Sequence, residues 1–309
     1  MENEWVDEPY FGLDIYVADM TTPMIMYEEW HQPGTKTLVN GYVIPAGQTG
    51  LKDINDAVHQ LFLHPNVGPF IGKQLIQRLV TSNPTPGYIS RVAAVFADNG
   101  QGERGDMGAV IKAILMDPEA RTCSALEEDR FGKLREPFTR YTHFSKAIQM
   151  EQYYGRYWNV AYGFYQATNQ MPLASRTVFN FFLPDFQPIG AIADNGLVGP
   201  EFQIHNSRTS IEFINRVNDW AVWGYVMDDW EAENPSVTYN IDELTPLARD
   251  PEVLINRLDV LFTHGMLSDR TRQIIKDAIT PMISEDYRND RTRLAMYLIM
   301  ISPDYAIMK

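Results

Sequence analysis

Residues 66–100 read NVGPFIGKQLIQRLVTSNPTPGYISRVAAVFADNG, two apolar stripes at helical spacing divided by the stop signal Ser82-Asn83-Pro84. Phe70, Ile71, Leu75, Ile76 and Leu79 form the first stripe, and Asn66 stands where a cap accepts the free amides of a first turn. Thr85 with Pro86 opens the second, which carries Ile89, Val92, Ala93 and Phe96 and closes at Asn99-Gly100. Upstream, Asp53 to Leu63 sets Ile54, Val58, Leu61 and Phe62 on one face. It ends at His64-Pro65, because proline disfavours the helical conformation in the residue before it. Downstream, Asp106 caps MGAVIKAILM, which Asp117-Pro118 stops. Four such helices with short connections predict a mainly α fold, a helical bundle or array of short capped helices.

The pattern returns near the C-terminus, where Pro251–Thr263, Ser268–Ile279 and Asp290–Ile301 are again helical and Ser302-Pro303-Asp304 ends the last. Residues 1–50 differ. IYVADM, PMIMYEEW and KTLVNGYVIPAG are short β-rich runs broken by Pro and Gly, so two or three strands are expected there and β structure is expected to be confined to that portion. The reading is a β-rich segment over 1–50 and a helical domain over 51–309.

Between the two helical sets the chain turns aromatic. Lys133 to Met150 carries Phe138, Tyr141, Phe144 and Ile148 at helical spacing. Gln152 to Gln166 is so dense in Tyr and Trp that aromatics must show on more than one face and line a groove. Ser210 to Met227 is expected to be helical with Ile211, Ile214, Val217, Ala221 and Val222 inward, followed by the acidic turn Asp228-Asp229-Trp230-Glu231. Ser175 to Asn206 has neither period. Its prolines and glycines stop any long helix, yet Phe179, Phe181, Phe182, Phe186 and Phe202 carry too much apolar surface to leave in water, so an ordered aromatic loop is expected.

A formal charge of -14 over 309 residues, with no basic stripe, argues against nucleic acid as a partner, since phosphate binding needs clustered Lys and Arg. The longest apolar runs fall short of the ~20 residues a membrane-crossing helix needs, so no transmembrane segment is expected. The single cysteine, Cys123, rules out an internal disulfide. MENEWVDEPYFG lacks a basic region followed by an apolar stretch, so no signal peptide is expected in this chain.

No phosphate loop, HExxH or nucleophile elbow is present, and the six histidines never fall at i, i+4 spacing. Neither a metal nor a cofactor is expected. Glycoside hydrolysis needs two carboxyl groups across a sugar, one of them protonated by an apolar setting. Asp185, between Pro184 and Phe186, and Glu201, between Pro200 and Phe202, are the candidate catalytic pair, with Tyr157, Trp158, Tyr162, Trp230 and His205 as candidate substrate-binding residues for a glycan. The structural alternative makes Asp185 a turn cap and pairs Glu201 with Arg140 or Arg208. Two functions therefore stand open: a carbohydrate-active hydrolase, or a non-catalytic helical binding or scaffold protein whose aromatic groove holds a glycan or a partner chain.

The motif order, HQPGTK, LFLHPNVGPFIGKQLIQRLVTSNPTPGYISRVAAVF, AILMDPEAR, GKLREPFTR, VFNFFLPDFQPIG, GLVGPEFQIHN and YLIMISPDYAIMK, resembles the C-terminal part of the bacterial DUF1800 family. That family usually has His-Asp where this chain has His31-Gln32, which removes the expected acid from that position. The resemblance implies helical architecture and export to the periplasm or beyond. It also implies a possible sulfatase-like partner protein.

Overall fold

The computed structural model describes residues 22–122, 130–152, 162–175, 177–224, 237–282 and 284–309. The chain forms two compact units, Met1–Val67 and Gly68–Lys309. In the first, β1 (Lys36–Thr37) and β2 (Val43–Ile44) pair antiparallel, and helix α1 (Gly50–Leu63) follows from the Thr49 cap. Ile54, Val58 and Leu61 do share one face of α1, and each is at least half exposed.

The second unit is helical. α2 (Val67–Leu79), α3 (Pro86–Ala97) and α4 (Met107–Met116) bury Ile76, Tyr88, Val92, Phe96, Val110 and Ile114. Thr85 and Asp106 cap α3 and α4 as the sequence predicts. Asp117 ends α4 and then caps the single turn α5 (Pro118–Arg121). His64, at the end of α1, accepts the Asn66 amide on Nδ1.

After β3 (Lys133–Leu134) come α6 (Pro137–Ala147), β4 (Glu151–Gln152) and α7 (Tyr162–Thr168). The loop carries two short helical turns, α8 (Ala191–Asp194) and a 3-10 turn over Pro200–Gln203, and leads into α9 (Ser207–Val217), which continues as a wide turn over Asn218–Val222. β5 (Val237–Thr238) then precedes α10 (Pro251–Thr263), α11 (Asp269–Ile279), α12 (Arg288–Met300), α13 (Pro303–Ala306) and β6 (Ile307–Met308). α6, α9, α10, α11 and α12 enclose the main core. Trp220 is edge-on to Tyr141 at 5.1 Å and stacked with Phe144 and Phe164 at 6.2 Å.

Two expectations need correction. Strand pairing is not confined to the first 50 residues, because β3 pairs with β6 and β4 with β5. The first ladder ties Lys133 and Leu134 to the last residues of the chain and the second joins Glu151 and Gln152 to Val237 and Thr238, long-range pairings that no local pattern carries. In α9 the inward face is Thr209, Phe213 and Val217, continued by Trp220 and Ala221, while Ile211 and Ile214 are exposed. The apolar bulk of Phe213 and Trp220 sets the phase, and the wide turn after Val217 shifts it once more.

Candidate functional site

The loop is held by the end of α2 and the turn after it. Asn83 clamps Val198 from both sides, donating Nδ2 to its carbonyl at 2.9 Å and accepting its amide at 2.8 Å. Gln77 Nε2 donates to Pro184 O at 2.9 Å, and Arg78 Nη2 to Phe179 O at 2.9 Å. Arg78 also lies over the Phe182 ring, 4.0 Å from its centre. A cation held against an aromatic face in this way fixes the ring's position. Of the loop's five phenylalanines, Phe182 alone is fully buried; Phe179, Phe181, Phe186 and Phe202 are half-buried.

β3 brings Lys133 beneath this loop. Its register with β6 needs Gly132, whose φ is +109° and where a Cβ would meet Met308 O at 3.0 Å. Lys133 Nζ pairs with Glu201 Oε1 at 2.9 Å and donates to the carbonyls of Gln77 and Arg78 at 3.0 and 2.8 Å. Both side chains are nearly inaccessible, at 5% for Lys133 and 1% for Glu201. Such a pair must have its remaining polar groups satisfied to hold its place.

In front of Phe182 opens a cleft of about 480 Å³. Tyr165, Phe181 and Phe182 supply aromatic walls, and Asn169, Asn180 and Gln203 supply side-chain amides. No Asp, Glu, Lys, Arg or His is among the described residues that line it. Asn169 and Asn180 adopt left-handed backbone, φ 58° and 71°, a conformation asparagine tolerates better than most residues. Arg208 donates to Asn169 Oδ1 at 2.9 Å, and Gln203 Oε1 accepts the Leu183 amide at 2.7 Å, so two of the three amides have fixed orientations.

The candidate carboxylates do not meet in this cleft. Glu201 faces Lys133 behind Phe182, and its partner is neither Arg140 nor Arg208. Asp185 is exposed, so its apolar neighbours in sequence do not enclose it. His205 is half-buried with Ser210 Oγ at 3.3 Å from Nε2; burial, and then the nearby Arg140 guanidinium, push its pKa down to about 4. Tyr162 opens α7. Tyr157, Trp158 and Trp230 lie outside the described residues. The residues that sequence reading missed as parts of the site are Gln77, Arg78, Asn83 and Lys133; all four lie in stretches that carry the family resemblance, but nothing local in those stretches says that they meet the loop.

In the first unit, HQPGTK forms a separate polar cluster around Asp53. His31 Nε2 and Lys36 Nζ approach Asp53 Oδ2 at 2.8 and 2.6 Å, and Gln48 Nε2 donates to Oδ1 at 2.9 Å. Lys36, then Gln48 and His31, hold the Asp53 carboxyl well below the usual carboxylate range. The carboxylate beside His31 and Lys36 thus comes from α1. Among the described residues no group of three or more His, Cys, Asp or Glu is placed to hold a metal ion, and no helix is long and apolar enough to cross a membrane.

A family model described as a protein of unknown function, DUF1800, matches residues 12–307. The chain belongs to the DUF1800 family. No curated protein and no solved structure matches it. The stretches that carry the DUF1800 resemblance supply Lys133, Phe182, Glu201 and Tyr305, all four of them buried.

Proposed function

We propose that this DUF1800 chain is a non-catalytic binding or scaffold protein and that its cleft takes an uncharged oligosaccharide or polysaccharide segment. The observation that carries this reading is the lining itself, three aromatic rings and three side-chain amides with no charged group among the described lining residues. A sugar presents apolar C–H faces that stack on aromatic rings and hydroxyl rims that exchange hydrogen bonds with amides. The volume, about 480 Å³, falls in the ~300–1,000 Å³ range usual for small-ligand sites. Hydrolysis has less support, since it needs two free carboxyl groups roughly 5–9.5 Å apart across the bond to be cut. Export, implied by the family resemblance, would bring such a cleft to extracellular glycans, and a sulfatase-like protein would be the partner of a scaffold.

Titration calorimetry against a panel of neutral oligosaccharides, with reducing-sugar release measured on the same samples, tests the proposal. Binding that weakens at least ~10-fold in Phe181→Ala and Asn180→Ala, without sugar release, is expected. No binding to any neutral glycan overturns the ligand class. Release of reducing sugar abolished by Asp185→Asn overturns the non-catalytic reading and makes Asp185 a catalytic carboxylate.

A further inference from the structure

Among the described residues, four buried side-chain atoms have no hydrogen-bonding partner within the chain: Gln77 Oε1, Arg78 Nη1, Arg140 Nη2 and Glu201 Oε2. Three of the four belong to residues that line one small chamber of about 10 Å³, whose remaining lining is Gln74, Phe182, Pro184 and Pro200. Buried polar atoms rarely go unpaired, so their convergence needs a physical cause.

Each of the three is left over for a definite reason. Lys133 has three N–H donors, and Glu201 Oε1, Gln77 O and Arg78 O use all of them, so none remains for Glu201 Oε2. Both Gln77 Nε2 hydrogens are engaged, on Ser82 O at 3.0 Å and Pro184 O at 2.9 Å, which fixes Oε1 as the other amide atom. Arg78 Nη2 serves Phe179 O, while Nη1 forms an ion pair with Glu136 Oε1 at 3.5 Å but no hydrogen bond.

Two acceptors and one donor are the complement of one water molecule, which donates twice and accepts at least once. A space of ~10–15 Å³ by this measure holds one water and nothing larger. A metal cation is excluded by the guanidinium at the same wall. We propose that this chamber is a site for a single ordered water that donates to Glu201 Oε2 and Gln77 Oε1 and accepts from Arg78 Nη1. The water completes the polar junction that fastens Phe179 and Pro184 to α2, and Phe182 is common to this chamber and the cleft. Gln77 and Arg78 thereby become positioning residues for the aromatic wall, whatever the cleft binds.

A crystal structure of the whole chain, at a resolution that shows waters, should place one peak within hydrogen-bonding distance of all three atoms. In solution, ¹⁷O relaxation dispersion should count one long-lived water fewer in the double variant Lys133→Met, Glu201→Met, which replaces the ion pair by apolar groups of similar length. No peak at these atoms, with Glu201 Oε2 turned onto a protein donor, overturns the site. So does an unchanged count of long-lived waters in a folded double variant. If that variant does not fold, the crystal structure of the parent decides alone. Glycan binding enters neither measurement, so the failure of one proposal is separable from the failure of the other.

Discussion

At the scale of single residues, Lys133 and Glu201 show how much depends on pairing rather than on identity. A carboxylate and an ammonium this deeply buried are each costly alone, and together they hold only while both keep their charge. Glu201→Gln keeps the shape and strands the Lys133 charge. It should destabilise the protein by about 3–5 kcal/mol in urea denaturation, and Lys133→Met in the same chain should recover most of that loss. A Glu201→Gln variant as stable as the parent would show that the pair does not form in solution. His143 and His205 make a second residue-level case. Arg135 Nη1 lies 2.7 Å from His143 Nδ1, a distance that requires a neutral acceptor on the ring. Burial first, then the Arg135 charge, lower the His143 pKa to about 4, as burial and Arg140 do for His205. Both titrate near 6.5 when unfolded. Between those values the unfolded chain binds more protons than the folded one. Stability is therefore full above pH 6.5 and falls as the pH drops towards 4, by on the order of 1 kcal/mol per histidine after allowance for solvent screening. Melting temperature followed across that window should decline, and His143→Gln should flatten part of the decline.

Elements were legible where their signals are local. The caps Thr85 and Asp106 each accept the backbone amide expected of them, and α10 and α11 span what the apolar period indicates. The aromatic loop was legible as ordered but not as packed. Its rings could be counted in the sequence, yet which of them faces α2 depends on Gln77, Arg78 and Asn83, which lie about a hundred residues away. For the same reason Glu201 could be read as needing a cation, but Lys133 could not be chosen over Arg140 or Arg208. The loop now gives a differential prediction. Phe182→Ala should cost about 3–5 kcal/mol, the usual range for a buried phenylalanine. Phe181→Ala should cost much less and should instead weaken ligand binding. Equal losses of stability would mean that Phe181 is framework and not wall. Leu173, fully exposed with φ 61°, is held in a conformation that a leucine rarely adopts. Leu173→Asn should raise stability by about 0.5–1 kcal/mol in thermal melts, because asparagine tolerates that backbone and no buried contact is lost.

At the scale of the whole molecule, the two units are held by different means. Gly68–Lys309 has a contiguous apolar core built around Trp220, Phe144, Leu258 and Ile299. In Met1–Val67, Ile44 is the sole fully buried apolar side chain among the described residues. What organises that unit is polar. Asp53, 6% exposed, gathers His31, Lys36 and Gln48, while the Glu28 carboxylate accepts the Gly50 amide at the start of α1. A unit built this way should open at lower free energy than a unit with an apolar core, because local stability follows buried apolar contact. It should also respond to acid in its own window. Since the Asp53 carboxyl is depressed in the folded state, its contribution is complete above the unfolded value near 3.8 and is lost as the pH falls below it. On acidification the histidines of the second unit lose their contribution earlier, as the pH falls from 6.5 towards 4. Asp53→Asn at neutral pH removes the charge that Lys36 and His31 share. Native-state hydrogen exchange should then show α1 amides approaching unprotected rates, while the amides of α10 and α12 keep their protection. Protection lost in all three helices together would mean that the two units unfold as one and that Asp53 stabilises the whole chain.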